Sequence, residues 1–464
     1  MQRLYAIAWL AWKAAFRFRL FLVVSALLLI SVVGLPLLIK DDGTARGFTQ
    51  ILLTYTLTAI TGLLGISTLW LACGTLARDI EECQVQMVAV KPIARWQIWL
   101  GKWLGIVSLD AVLLALSGGC VYGLLQWRAH RLPLDQQQVL RNEVLVARGS
   151  AREKSFDKEI DANTDRVLRD RIEKNPLDVG KANLVEVRRQ IRENVKAAYE
   201  VIPPGYQSRL WRINLGRARH RLRGQPLFLR VKFNAADNTP NRTYDVVFRV
   251  GVPQKTRLWQ SDVMSMAAET FHEFQIPPDL FDEDGVLTVT LGNPNETALS
   301  VPLGDGFEVL YRQGSFGPSF ARGLGIILCW MALLAAVGLA SASLLSFPVA
   351  AFVSLGLLVM ALSSSTLAGV VEEGTIAEYN PEKGAPGSSP VDVLVVPTFR
   401  AVLKVIRLAM DFSPVDALST GRSVTWTQLG LAFGQIVLLM SGLAGLVGIF
   451  LFSRRELAAA QGTQ

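Results

Sequence analysis

Residues 77–105 read ARDIEECQVQMVAVKPIARWQIWLGKWLG. An apolar stretch, Gly47–Ala77, runs ahead of the charged segment. Another, Trp103–Trp127, runs behind it and is interrupted only by Asp110. Each is long enough to cross a bilayer as a helix, which takes about 20 apolar residues. The charged segment therefore lies at a membrane face. It opens acidic and amphipathic (Asp79, Glu81, Glu82, then Val85 and Val88), breaks at Lys91-Pro92 and returns through Arg95 to Lys102. A short segment pinned at both ends moves both helices when it is pushed. Arg78–Lys102 thus reads as a lever, with Arg78, Asp79, Glu81, Glu82, Lys91, Pro92, Arg95 and Lys102 meeting whatever pushes.

Further apolar runs follow the same logic: Leu20–Ile39, Gly323–Val370 (long enough for two helices) and Val424–Phe452. The expected fold is a polytopic α-helical membrane protein with six transmembrane helices. Of 464 residues 51% are hydrophobic, and that excess is concentrated in these runs. The first run lacks a small-residue cleavage site and reads as a retained anchor. Residues 1–19 place Trp9 and Trp12 among cations, the pattern of an amphipathic helix lying in the cytoplasmic interface. Arg3, Lys13, Arg17 and Arg19 precede the first run with no acid among them, and Arg454-Arg455 follow the last. The positive-inside rule then puts both termini in the cytoplasm and residues 128–320 outside it. Much of the net charge of +8 lies at these membrane ends, so it does not call for nucleic acid. The four cysteines (Cys73, Cys83, Cys120, Cys329) imply neither a disulfide framework nor a metal site.

Within 20–127, which holds three helices and the 78–102 loop, Asp110 stands out. It lies eight residues past Lys102, about 12 Å into the membrane. A carboxylate there costs about 2.5–3.5 kcal/mol unless it is paired, hydrated or protonated. It either lines a translocation path or pairs with a neighbouring cation to fix packing.

From Arg128 the composition changes. Residues 128–224 are densely charged and read as a helical arm broken at Asn175-Pro176. Val139, Leu140, Val144 and Leu145 recur at helical spacing, as do Leu184, Val187, Ile191 and Val195. Residues 225–318 switch to period two, with Leu227, Leu229, Val231 and Phe233, then Tyr244, Val246, Phe248 and Val250, then Leu287, Val289 and Leu291. These predict a jelly-roll-like β-sandwich, so the insertion is expected to be α+β. A glycan site on it would need an exposed aromatic platform; Trp259 and Tyr244 are the candidates, with core packing the favoured alternative for each. Residues 319–370 then hold two helices. Residues 371–423 form an outer loop in which Phe399, Leu403, Ile406 and Met410 oppose Arg400, Lys404 and Arg407. Residues 424–464 hold the last helix and a tail.

Catalytic chemistry is sparse. The three histidines (His130, His220, His272) are scattered. No G-x-x-x-x-G-K-[ST] loop is present, so the chain does not cradle ATP phosphates in the usual way. Leu116-Ser117-Gly118-Gly119-Cys120 mimics an ATPase signature but lies inside an apolar run.

The acidic segment, Lys91-Pro92, Arg95, and Gly101-Lys102 with Gly105 together resemble the coupling loop of type-2 ABC exporter permeases. Ser413-Pro414-Val415-Asp416 and Arg454-Arg455-Glu456-Leu457 resemble that family's elements around its last span. The resemblance covers roughly 1–128 and 320–460, and the large exported insertion departs from it. It implies a permease that exports or extracts a lipid, glycan or peptide. The partners it implies are cytoplasmic ABC ATPase subunits carrying ATP and Mg, a second permease copy or paralogue, and membrane lipids, with a periplasmic protein or glycan at the insertion. It implies no cofactor in this chain. Two alternatives are a mechanotransmission subunit that moves its exported domain without transport, and a permease like those that extract lipopolysaccharide.

Overall fold

Two long helices frame the quoted segment. Helix α3 (Ala45–Glu81) runs past Ala77, so Arg78, Asp79 and Glu81 ride on the same helix as the apolar run before them; α4 (Arg95–Ala129) begins at Arg95. Before them lie α1 (Gln2–Arg17) and α2 (Arg19–Leu38). The computed structural model describes residues 2–17, 19–38, 45–82, 93–131, 133, 137, 140, 145–174, 184–237, 242–253, 255–373, 379–380, 385–386, 391–410 and 412–454. Lys91, Pro92, Cys83 and Arg455 onward lie outside these. The chain divides into two units, Met1–Ala147 with Ser315–Gln464, and Arg148–Gly314.

The inserted unit follows in chain order. Strand β1 (Val146–Ala151) precedes helices α5 (Asp157–Lys174) and α6 (Leu184–Glu200). Then come β2 (Val201–Ile202), β3 (Gln207–Asn214), β4 (Leu227–Val231), β5 (Asn234–Ala235), β6 (Thr243–Val250), β7 (Trp259–Gln260) and β8 (Met264–Ala267). The last are β9 (His272–Ile276), β10 (Val286–Asn293), β11 (Leu299–Ser300) and β12 (Phe307–Ser315). The two helices join through Arg192–Asp161 and Arg188–Asp165, each 2.9 Å, and Asn163 donates to the Tyr199 hydroxyl at 2.9 Å. Burial alternates along β6 and β10, as period two requires, and Leu291 opposes Phe248 across that pair.

The jelly-roll-like β-sandwich is not what forms. Among the described residues the strands make open sheets in the orders β1-β12-β4-β9, β3-β10-β6-β7 (with β8 on β6) and β2-β11-β5, none closed or curled. Period two tells which side of a strand faces the core but not which strand it pairs with. Side chains such as Leu229, Ile276, Phe248, Val289 and Leu291 nonetheless share one apolar core. Leu145, placed at helical spacing, donates its N–H to the Leu140 carbonyl at 2.7 Å and leads directly into β1; Val139 and Val144 lie outside the described residues.

The return half starts with α7 (Phe316–Leu344), then α8 (Phe347–Leu362), α9 (Ser364–Glu373), the short strands β13 (Tyr379–Asn380) and β14 (Ala385–Pro386), α10 (Asp392–Met410), α11 (Pro414–Ser419) and α12 (Trp426–Arg454). Among the described residues four helices are long and apolar enough to cross a membrane: the 49–81 part of α3, α4, α7 and α12. A fifth is reached if α1 and α2, bent by 78°, count as one. The expectation of six is corrected accordingly. Charge-free sequence shows apolarity, not helix continuity: Ser363 separates α8 from α9, and the 16 residues of α8 reach about 24 Å against about 30 Å of hydrocarbon. Several long apolar helices remain, and they are those of a membrane protein.

Candidate functional site

The charged residues flanking the loop are tied into the helices around them. Lys102 is buried; its Nζ lies 2.5 Å from Asp79 Oδ2 and donates to the Thr75 carbonyl at 2.7 Å, clamping α4 to α3. Glu81 Oε1 accepts from the backbone N–H of Phe347 at 3.0 Å. A carboxylate there satisfies an orphan donor and complements the positive end of α8. The Arg78 guanidinium sits 4.9 Å from the centre of the Phe347 ring. Arg95 Nη1 donates to the carbonyls of Ser453 (2.6 Å) and Phe452 (3.2 Å), placing a cation on the negative end of α12. Glu82 presents an exposed side chain, and Lys91 and Pro92 lie outside the described residues.

Four expected residues (Arg78, Asp79, Glu81, Lys102) are therefore gathered at the α3–α4–α8 end, while Arg95 reaches α12. The partners Thr75, Phe347 and Ser453 were missed. Thr75 and Ser453 act through backbone carbonyls and Phe347 through its N–H as well as its ring, and backbone atoms carry no sequence signal; only Pro348 at the start of α8 hinted at a helix N-terminus there.

Gly101 and Gly105 have a packing role. A Cβ on Gly101 would come within 2.8 Å of Ile7 Cβ, and one on Gly105 within 2.7 Å of Ala11 Cβ. Small residues four apart let α1 lie close on α4. Trp12 Nε1 extends that contact by donating to Ser108 Oγ at 2.8 Å.

Asp110 is 1% exposed. Its Oδ2 lies 2.9 Å from Thr68 Oγ1, which is also 2.7 Å from the Leu64 carbonyl, and among the described residues its Oδ1 has no hydrogen-bond partner. Lys102, the nearest cation along α4, is committed to Asp79. An apolar cavity of about 450 Å³ adjoins Met331, whose sulfur lies 3.7 Å from Thr68 Oγ1. Its wall also includes Thr61, Gly65, Leu334, Ile406 and Met410.

In the inserted unit the two aromatic candidates are not a platform. Tyr244 is buried with its hydroxyl on Asp237, and Trp259 packs against the core. His272 Nε2 is within 2.8 Å of the Ala267 carbonyl and 2.9 Å of Thr270 Oγ1, a local structural pairing. Among the described residues no cluster of metal-binding side chains occurs. Comparison with family models, with curated proteins and with solved structures returns no match to this chain.

Proposed function

We propose that this chain is the permease subunit of a pump of the type-2 ABC exporter kind, set in the cytoplasmic (inner) membrane and driven by a separate ATPase. The observation that carries the reading is the clamp around the loop. Asp79–Lys102, Glu81 on the start of α8 and Arg95 on the end of α12 link the lever to four helices. A push on a loop so anchored reaches the body of the helical unit, whereas a loosely attached loop would absorb it. The Arg95–Ser453 contact also brings the end of α12 beside the start of α4, in keeping with a C-terminus on the loop side, which the positive-inside rule makes cytoplasmic. The apolar cavity beside Met331 suits the hydrocarbon part of an amphiphile, a lipid or lipid-linked cargo. ATP and Mg belong to the partner ATPase. A second permease copy or paralogue completes the path.

Affinity purification of the chain from its native membranes tests this. An ATPase subunit is expected to accompany it and to be lost when Glu81, Glu82 and Arg95 are replaced by Ala. Unchanged association and unchanged stimulated hydrolysis in that variant reject the reading. So does labelling of Cys83 by an impermeant maleimide from outside alone. Motor stimulation that survives filling of the cavity, with no cargo moved by the wild type, favours the transmitter alternative.

A further inference from the structure

The geometry around Asp110 assigns a proton. Thr68 Oγ1 is 2.7 Å from the Leu64 carbonyl and 2.9 Å from Asp110 Oδ2, and both residues are buried. A threonine hydroxyl has one hydrogen to donate, and a backbone carbonyl can only accept. If Asp110 is ionised, only one of the two short contacts can be a hydrogen bond, and among the described residues a buried carboxylate is left with a single donor and no cation. If Asp110 carries a proton, its O–H donates to Thr68 Oγ1 and Thr68 donates to Leu64. Both contacts are then satisfied, in the ordinary range for hydroxyl donors. The partnerless Oδ1 becomes the carbonyl oxygen of a neutral acid rather than half of a charge, a far smaller cost in an apolar setting.

The ionisable side chains on the helices packed around this point do not change the count. Among the described residues Cys73 and Asp79 on α3, Lys102 on α4, Cys329 on α7, Lys13 on α1, Arg19 on α2 and Arg454 on α12 include none that hydrogen-bonds or ion-pairs with Asp110. Lys102 is held by Asp79, and Cys73 is directed at Ser354 and the Gly338 carbonyl.

We infer that Asp110 and Thr68 form a proton-binding site inside the helical unit, with Asp110 held as a neutral carboxylic acid that donates to Thr68. The ligand is a single proton, bound at Asp110 Oδ2. Parting α3 from α4 or admitting water gives the carboxylate new donors, and the proton passes to that water, leaving Asp110 charged. On the proposed function, a pumping cycle that opens this contact binds and releases one proton each time.

Infrared spectroscopy of the full chain in lipid nanodiscs tests the site without any ATPase, so its outcome is independent of the permease reading. At neutral pH the wild type is expected to show the carbonyl stretch of a protonated carboxyl group. The band should shift in D2O, vanish in Asp110→Asn and move to higher frequency in Thr68→Val. If Asp110→Asn does not fold, Asp110→Glu serves, because it displaces the band instead of removing it. Identical wild-type and Asp110→Asn spectra in this region overturn the inference. So does a band present only below pH about 5, the range of an ordinary carboxylate.

Discussion

Glu308 in β12 shows how much one side chain can carry. It is fully buried, with Arg230 Nη1 at 3.4 Å, Arg152 Nε at 3.3 Å and the Ser150 hydroxyl donating at 2.7 Å. Removing one member of a buried ionic group leaves its partners desolvated, which costs about 3–5 kcal/mol. Glu308→Ala is expected to lower the stability of the inserted unit by that much, read as lost amide-exchange protection in β4 and β12. Asp165→Ala, which breaks a half-exposed pair with Arg188, should cost less than about 1 kcal/mol. Asp237 responds to pH instead. The Tyr244 hydroxyl donating to it, and Arg242 at 2.7 Å, hold its carboxyl below the ordinary value of 3.8. Its folded-state affinity for a proton is thus weaker than in the unfolded chain. The stability it contributes is present above 3.8 and is lost as pH falls through the depressed folded value. Tyr244→Phe should therefore loosen the β6–β8 pairing at neutral pH and differ little from wild type in strong acid, measured by amide exchange at Thr243–Val246.

Helix contacts set what the elements tolerate. A side chain at Gly105 would strike both the Ala11 Cβ and the Ala8 carbonyl, at 2.7 and 2.8 Å, and neither can swing away as the tip of a long side chain can. Gly105→Leu is expected to part α1 from α4 and depress the thermal midpoint in detergent. Gly119→Ala on the same helix meets nothing within 4 Å, so it should be neutral or gain up to about 1 kcal/mol from helix propensity. Asp79 and Lys102 join two elements, and here pairing matters more than charge. Asp79→Asn or Lys102→Met alone should destabilise more than the double replacement, since each single change strands a partly buried ion. A thermal-shift double-mutant cycle reads that sign. Within α12 the helix widens to π geometry over Phe433–Ser441, and Ser441 Oγ donates back five residues to the Ile436 carbonyl.

At the scale of the whole molecule, the two units keep separate cores. The clusters built on Leu57 and Ile327 and on Trp99 and Leu339 contain only residues of the helical unit, and the cluster built on Phe248 and Leu229 only residues of the inserted one. Replacing 148–314 by a short flexible linker is therefore expected to leave the helical unit monodisperse in detergent and, on the proposed function, still able to retain its ATPase. Aggregation of the shortened protein would show that the helical unit depends on the insertion.

The long apolar helices, the charged junction between two of them and the buried Asp110 were legible in the amino-acid order. A bilayer demands about 20 apolar residues whose backbone bonds close within the segment, and that is a local property. The alternating faces of β6 and β10 were legible for the same reason. Strand partners were not, because pairing depends on residues far apart in sequence; the expected jelly roll gave way to open sheets on that account. The break at Ser363 did carry a signal, the polar run Ser363-Ser364-Ser365-Thr366, which the lack of charge between Gly323 and Val370 masked. The roles of Glu81 and Arg95 also waited for the tertiary structure. Their partners are a backbone N–H on α8 and carbonyls on α12, groups that every residue carries and that only folding brings within reach.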